Sequence, residues 1–432
     1  MIPPPSARPS VTLPLAYVTT AALAFVLAAA AVPWLAPELA GHYYQPRILA
    51  LAHTVTLGWI TLTIMGASYQ LIPIVLERPL WSERLAWWQL AFMVTGVVGM
   101  IGHFFLGAWS GLVWAAALVA VGVGAHLLNV ALTVRGLTRW TFTARMVALA
   151  LAGLGLTTLA GFVLGLDKLV HVLPGELFDN LHAHVHLALL GWVLPMTIGV
   201  AARVYPMFLL AAAPAGWPGR VQLWGLALGV PATVAGLCGA RALLVAGALA
   251  VAAAVAGHLV WVGAMVRSRR RPGLDWGLRF ALTGAAALPV AAALGLALAL
   301  GLAAGPRVAL AYAALALGGW VSLTIAGMLL KIVPFLVWYR VYAARAGRSA
   351  VPTLAALSWP RGEGLAWLLL TTGLAALTVA LWRGEAAWIR AAGGVVAAGA
   401  VAFGATLAHV LSHLGRRAPA AGVTAAPAAR TA

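Results

Sequence analysis

The sequence predicts an all-α membrane protein of about twelve transmembrane helices, on three observations. Of its 432 residues, 63% are hydrophobic and only 8% charged, against roughly 25% charged in soluble domains. A charge in hydrocarbon costs several kcal/mol, so lipid-facing sequence excludes it. Apolar stretches of the length a bilayer demands, about 20 residues, recur a dozen times. Finally, arginine and lysine gather at alternate connections between those stretches.

In order, the stretches lie near 12–36, 48–75, 85–108, 110–134, 144–166 and 181–212, then 221–240, 242–266, 279–304, 307–338, 364–382 and 391–415. Those at 48–75, 181–212 and 307–338 exceed the bilayer thickness and are expected to tilt or protrude. With the N-terminus in the cytoplasm, 19 of the 27 basic residues fall in cytoplasmic segments. Six fall outside, at Arg47, Lys168, Arg241, Arg307, Arg383 and Arg390, and two, Arg203 and Lys331, lie within spans. The positive-inside rule then places both termini in the cytoplasm, in what we take to be a bacterial inner membrane.

Several classes are excluded. A net charge of +18 invites a nucleic-acid reading, but the arginines sit in short loops and no basic groove with interleaved aromatics is present. The single cysteine, Cys238, rules out an internal disulfide and a thiolate metal cluster. No cleavable signal precedes the first apolar segment, which is expected to be a retained helix. The Ala/Pro-rich tail at 417–432 is expected to be disordered.

A 21-residue segment recurs. His53 to Pro73 reads HTVTLGWITLTIMGASYQLIP, and His186 to Pro206 reads HLALLGWVLPMTIGVAARVYP. Leu57, Gly58, Trp59 and Gly66 match Leu190, Gly191, Trp192 and Gly199. A third copy, Ala314 to Pro334, keeps Gly319, Trp320, Gly327 and Pro334 but has alanine in place of the histidine. The offsets of 133 and 128 residues each span four helices. We therefore expect three four-helix repeats, at 1–140, 141–275 and 276–416, packed about a central axis with sites at their seams. The Gly-Trp pairs are expected to serve close helix packing.

The eleven histidines are unusual in a bundle whose nine carboxylates fall in loops or at span ends. Imidazole without carboxylate is poor equipment for a proton relay, but neutral imidazole suits iron or copper. His53 and His186 share a repeat position and hence a depth, in the outer half, with His103, His182 and His184 near the same surface. In His182-Ala183-His184-Val185-His186, residues four apart share a helix face while those two apart oppose it. His182 and His186 point one way and His184 the other. A b-type haem held by two imidazoles needs histidines from facing helices at one depth, a condition His53 and His186 meet. His103, His182 and His184 are further candidate metal ligands. Arg47 and Arg307, at the outer starts of the second and tenth spans, are candidates for haem propionates. Gln70, Arg203 and Lys331 share one register near the cytoplasmic ends of their helices, where snorkelling is expected.

His184-Val185-His186, followed by Leu190-Gly191-Trp192, resembles the His-x-His helix of haem–copper oxidase subunit I, most of all in the C-type oxidases and nitric oxide reductases. That resemblance implies twelve helices in three four-helix arcs. It also implies His186 and His53 as low-spin haem ligands and His184 as a high-spin haem ligand, with a second haem or copper. It further implies a cytochrome c-type or copper-protein electron donor. Here the pair lies on the sixth span rather than the tenth, and the copper-ligand motifs are absent, so the resemblance is to a divergent member. The expected function is haem binding in electron transfer or in reduction of dioxygen or nitric oxide. Rival readings are a non-catalytic haem or copper handling or sensing protein, similar to the NnrS type, and a repeat-built transporter.

Overall fold

The computed structural model describes residues 11–76 and 78–415; the tail expected to be disordered lies outside them. The described residues are helical and contain no strand. Eleven helices are long and apolar enough to cross a membrane. They are α1 (Thr12–Ala31), α2 (Pro46–Ile74), α3 (Glu83–Leu106), α4 (Trp109–Val134), α5 (Phe142–Val170) and α6 (Leu177–Leu209), followed by five later in the chain. A helix of comparable length, α7 (Trp217–Leu237), comes next but is less apolar. Trp217, Pro218, Arg220, Gln222 and Trp224 fill its first turns. After it come α8 (Arg241–Arg267), α9 (Trp276–Leu300), α10 (Pro306–Arg345), α11 (Pro360–Arg383) and α12 (Ala386–Gly415). The expected twelve spans thus stand as eleven apolar helices and one more polar helix, which pairs along its length with α8.

Local chemistry sets the boundaries. Ser82, Thr141 and Asp275 cap α3, α5 and α9 by accepting the backbone N–H of Leu85, Ala144 and Leu278, satisfying donors that the first turn leaves orphaned. Proline occupies the first turn of α2, α7, α10 and α11, where its missing N–H costs nothing.

The packing follows chain order. α3 pairs with α4, α7 with α8 and α11 with α12, while α4 meets α5, α8 meets α9 and α12 closes back on α1. Inside this ring stand α2, α6 and α10. Glycine permits their close approach. A Cβ at Gly66 would lie 2.4 Å from the Tyr17 Cβ on α1, one at Gly199 would lie 2.7 Å from the Met146 Cβ on α5, and one at Gly327 would lie 2.9 Å from the Phe280 Cβ on α9. The three indoles Trp59, Trp192 and Trp320 are buried where the inner helices meet. Trp59 Nε1 donates to Ser322 Oγ at 3.0 Å and Trp192 Nε1 to Thr61 Oγ1 at 3.4 Å, tying α2 to α10 and α6 to α2.

Each inner helix contains a π-helical stretch: Thr54–Thr61 in α2, Leu187–Val193 in α6 and Ala314–Ser322 in α10. Such stretches are rare and concentrate at functional sites. Two of them begin directly after a histidine, His53 or His186.

At the end of the bundle where α9 starts, Asp275 Oδ2 bonds Lys331 Nζ at 2.5 Å and Arg271 Nη2 at 2.9 Å. Lys331 therefore does not simply snorkel, as its register suggested; it clamps α10 to the cap of α9. Burial works to raise the Asp275 pKa, but the Lys331 hydrogen bond, the Leu278 N–H and the charges of Lys331 and Arg271 outweigh it, holding the carboxyl below its ordinary 3.8.

Candidate haem site between α6 and α10

His186, the last residue before the π stretch of α6, stands in the wall of a cavity of about 400 Å³, within the range of cofactor pockets. The cavity lies between α6, α7 and α8 on one side and α9 and α10 on the other. Its walls are almost wholly Leu, Ala and Val, and the polar exceptions are His42, Tyr43, His182, His186, Thr233, Tyr312 and Trp320. It reaches the loop end of the bundle opposite Thr12, where the α1–α2 connection crosses it. There the Tyr43 hydroxyl lies 2.9 Å from His182 Nε2, and burial raises the Tyr43 pKa, which keeps the phenol protonated and able to donate. Beside it Lys168 Nζ bonds the Tyr44 hydroxyl.

The two histidines singled out by the repeat have matching tautomers. His53 Nδ1–H donates to the Leu49 carbonyl and His186 Nδ1–H to the His182 carbonyl, each at 2.8 Å. A backbone bond at Nδ1 fixes the ring and leaves the Nε2 lone pair free, as in imidazoles that ligate metals. Their surroundings differ. His186 stacks on Tyr312 of α10, with centroids 5.9 Å apart and planes 16° from parallel. His53 stacks on Phe104 of α3 at 4.7 Å and does not line the cavity. The structure thus does not bring His53 and His186 to opposite sides of this space.

His184 faces away from His186, as the helical spacing requires. It packs against Gly161 of α5, and its Nδ1 has no hydrogen-bond partner. His103 packs edge-on over Gly111 of α4, with Nδ1 likewise unpartnered. The side chain of His182 is taken by Tyr43. Among the described residues, no three His, Cys, Asp or Glu side chains converge as a metal-binding group.

The expected propionate arginines lie elsewhere. Arg47 pairs with Glu38 at 3.1 Å and sits 5.2 Å above the Phe105 ring, while Arg307 packs over Gly384 at the end of α11. Neither lines the cavity. Arg241, the first residue of α8, does not line it either; its Nη2 reaches to 3.1 Å from the Cβ position of Gly301, at the end of α9.

Sequence reasoning also missed a buried polar cluster. The Tyr17 and Tyr69 hydroxyls both donate to Gln89 Oε1, the latter at 2.9 Å. Fully buried His126 meets Tyr69 edge-on at 5.1 Å with neither ring nitrogen bonded. The spacing of Tyr69, Gln89 and His126 on three helices carries no local signal. No known protein family matches this sequence, and no curated protein matches it either.

Proposed function

We propose that this chain is a membrane-integral haem protein built as three four-helix units, in the manner of haem–copper oxidase subunit I, with haem in the cavity on His186. The observation that carries the reading is an imidazole with Nδ1 tied to backbone and Nε2 free, set in the wall of a 400 Å³ apolar cavity. The cavity's size and lining suit a porphyrin face. A haem there would supply a redox-active iron; the chain would supply the His186 imidazole to hold it, a low-dielectric surround and the hydrogen bond from His186 Nδ1–H that sets the imidazole's basicity. The task is then electron transfer or reduction of a small gas, served by a cytochrome c-type or copper-protein donor.

Matched packing supports the three-unit reading. α2, α6 and α10 each lie between their chain neighbours, each carries a π stretch, and Gly66, Gly199 and Gly327 meet equivalent positions on α1, α5 and α9. The arginine distribution supports cytoplasmic termini in a bacterial inner membrane.

The test is a reduced-minus-oxidised visible spectrum of the purified protein. Haem bands that disappear in His186→Ala and persist in His182→Ala support the assignment. A colourless protein that stays colourless after haem addition refutes it and favours the transporter reading. With haem bound, turnover of dioxygen or nitric oxide by a reductant separates an enzyme from a handling or sensing protein.

A further inference from the structure

At the end of the bundle where α5 and α9 begin, one register carries two cations in different surroundings. On α10, Lys331 stands four residues after Gly327, whose face meets Phe280 of α9. Its ammonium lies 2.5 Å from the carboxylate of Asp275, the N-cap of α9. On α6, Arg203 stands four residues after Gly199, whose face meets Met146 of α5. Phe280 and Met146 each lie five residues beyond the cap of their helix, so the residue that answers to Asp275 is Thr141. The α5–α6 contact is close there, with Thr143 Oγ1 donating to the Gly199 carbonyl at 3.0 Å. Thr141 carries no charge, however, so the carboxylate that neutralises Lys331 has no counterpart beside Arg203.

Nothing else in the chain takes its place. Among the described residues Arg203 makes no hydrogen bond, ion pair or ring contact. It is exposed, six residues before the end of α6, where an unopposed charge beside hydrocarbon is costly. It borders a groove between α2, α5 and α6 whose other walls are Leu71, Ile72, Thr143, Val147, Val200 and Val204. The groove encloses about 20 Å³, so it can seat one side of an extended chain but not a compact ligand.

We propose that Arg203 and this groove seat an anionic phospholipid. Its phosphate takes beside Arg203 the place that the Asp275 carboxylate takes beside Lys331, and an acyl chain lies along the groove. A guanidinium fork matches phosphate with two parallel bonds, and basic positions between transmembrane helices recruit anionic headgroups. One amphiphile satisfies both halves of the site. A free anion would leave the apolar groove uncovered, and a neutral lipid would leave the charge unopposed. The site is independent of haem in the cavity on His186 and stands if that haem is absent.

The test is native mass spectrometry of the purified full-length protein, titrated with phosphatidylglycerol and separately with phosphatidylcholine, which has the same phosphate but no net charge. The first phosphatidylglycerol should bind at least about fivefold tighter than phosphatidylcholine. Arg203→Gln, which copies Gln70 at the same register of α2, should abolish that preference. Thr141→Asp should abolish it too, by keeping a cap for α5 while supplying an internal carboxylate. Arg203 is intact in that variant, so the loss reads competition and not misfolding. Arg220→Gln removes an exposed charge at the same end of the bundle and should leave the preference unchanged. No preference in the wild type, a preference that survives Arg203→Gln or Thr141→Asp, an equal loss in Arg220→Gln, or displacement of the lipid by equimolar inorganic phosphate overturns the proposal.

Discussion

The closest helix approach near the candidate site is backbone on backbone. A Cβ added at Gly153 of α5 would stand 2.0 Å from the Gly191 carbonyl oxygen and 2.3 Å from its carbon, inside the π stretch of α6. Ordinary contact begins near 3.4 Å, so Gly153→Ala falls short by about 1.4 Å. No flexible side-chain end can yield, and one of the two helices must move. Overpacking costs about 1–3 kcal/mol, and a clash between two backbones belongs at the top of that range. The displaced element is the π stretch that follows His186, so the haem binding proposed there should weaken along with stability. Denaturation of the detergent-solubilised protein measures the first effect and the haem spectrum the second. Gly102→Ala, where an added Cβ meets nothing within 4 Å, is the control and should stay within about 0.5 kcal/mol of wild type. If Gly153→Ala is as stable as Gly102→Ala, the α5–α6 contact does not hold the site.

Other outcomes follow from the polar contacts. Asp275→Asn keeps a capping oxygen for α9 but removes both ion pairs; with Lys331 16% and Asp275 31% exposed, the loss should be about 1–2 kcal/mol after solvent screening. Because the folded Asp275 pKa lies below 3.8, that stabilisation is fully present above this value and is lost as the pH falls through the folded pKa. Melting curves of wild type and Asp275→Asn should therefore stay apart near neutral pH and converge in strong acid. Trp59→Phe deletes the bond to Ser322 at the centre of the bundle and should cost about 1–2 kcal/mol in the same unfolding assay. Tyr43→Phe frees His182 at the cavity mouth; it should cost about 1 kcal/mol and speed transfer of haem to an apo-acceptor, measured by stopped flow.

Much of the bundle was legible because hydrocarbon imposes a simple rule on composition: long apolar runs separated by arginine-bearing loops can hardly be anything else. The repeated segment was legible too, as was the opposite aim of His184 and His186. The pairing of His53 with His186 was not. Equal repeat position fixes equal depth, but like faces of successive helices in a ring look into successive seams. His186 meets Tyr312 of α10 and His53 meets Phe104 of α3. Arg47 and Arg307 fell to a different blindness: Glu38 and the end of α11 claim them through contacts that no spacing encodes. The π stretches were invisible because no residue type specifies an extra residue in a turn.

Those stretches make the aim of each histidine a matter of counting. An ordinary helix advances about 100° per residue and the wider π turn advances less, so the seven residues of Leu187–Val193 cover nearly the angle that about six residues of regular helix would. Losing one residue inside the stretch would let α6 close as a regular helix with His186 still aimed close to its present direction, whereas one residue gained or lost in the regular turns beside it would swing the imidazole by about 100°. Lineages of this chain should then tolerate a change of length inside the stretch more readily than one in the turns that flank it.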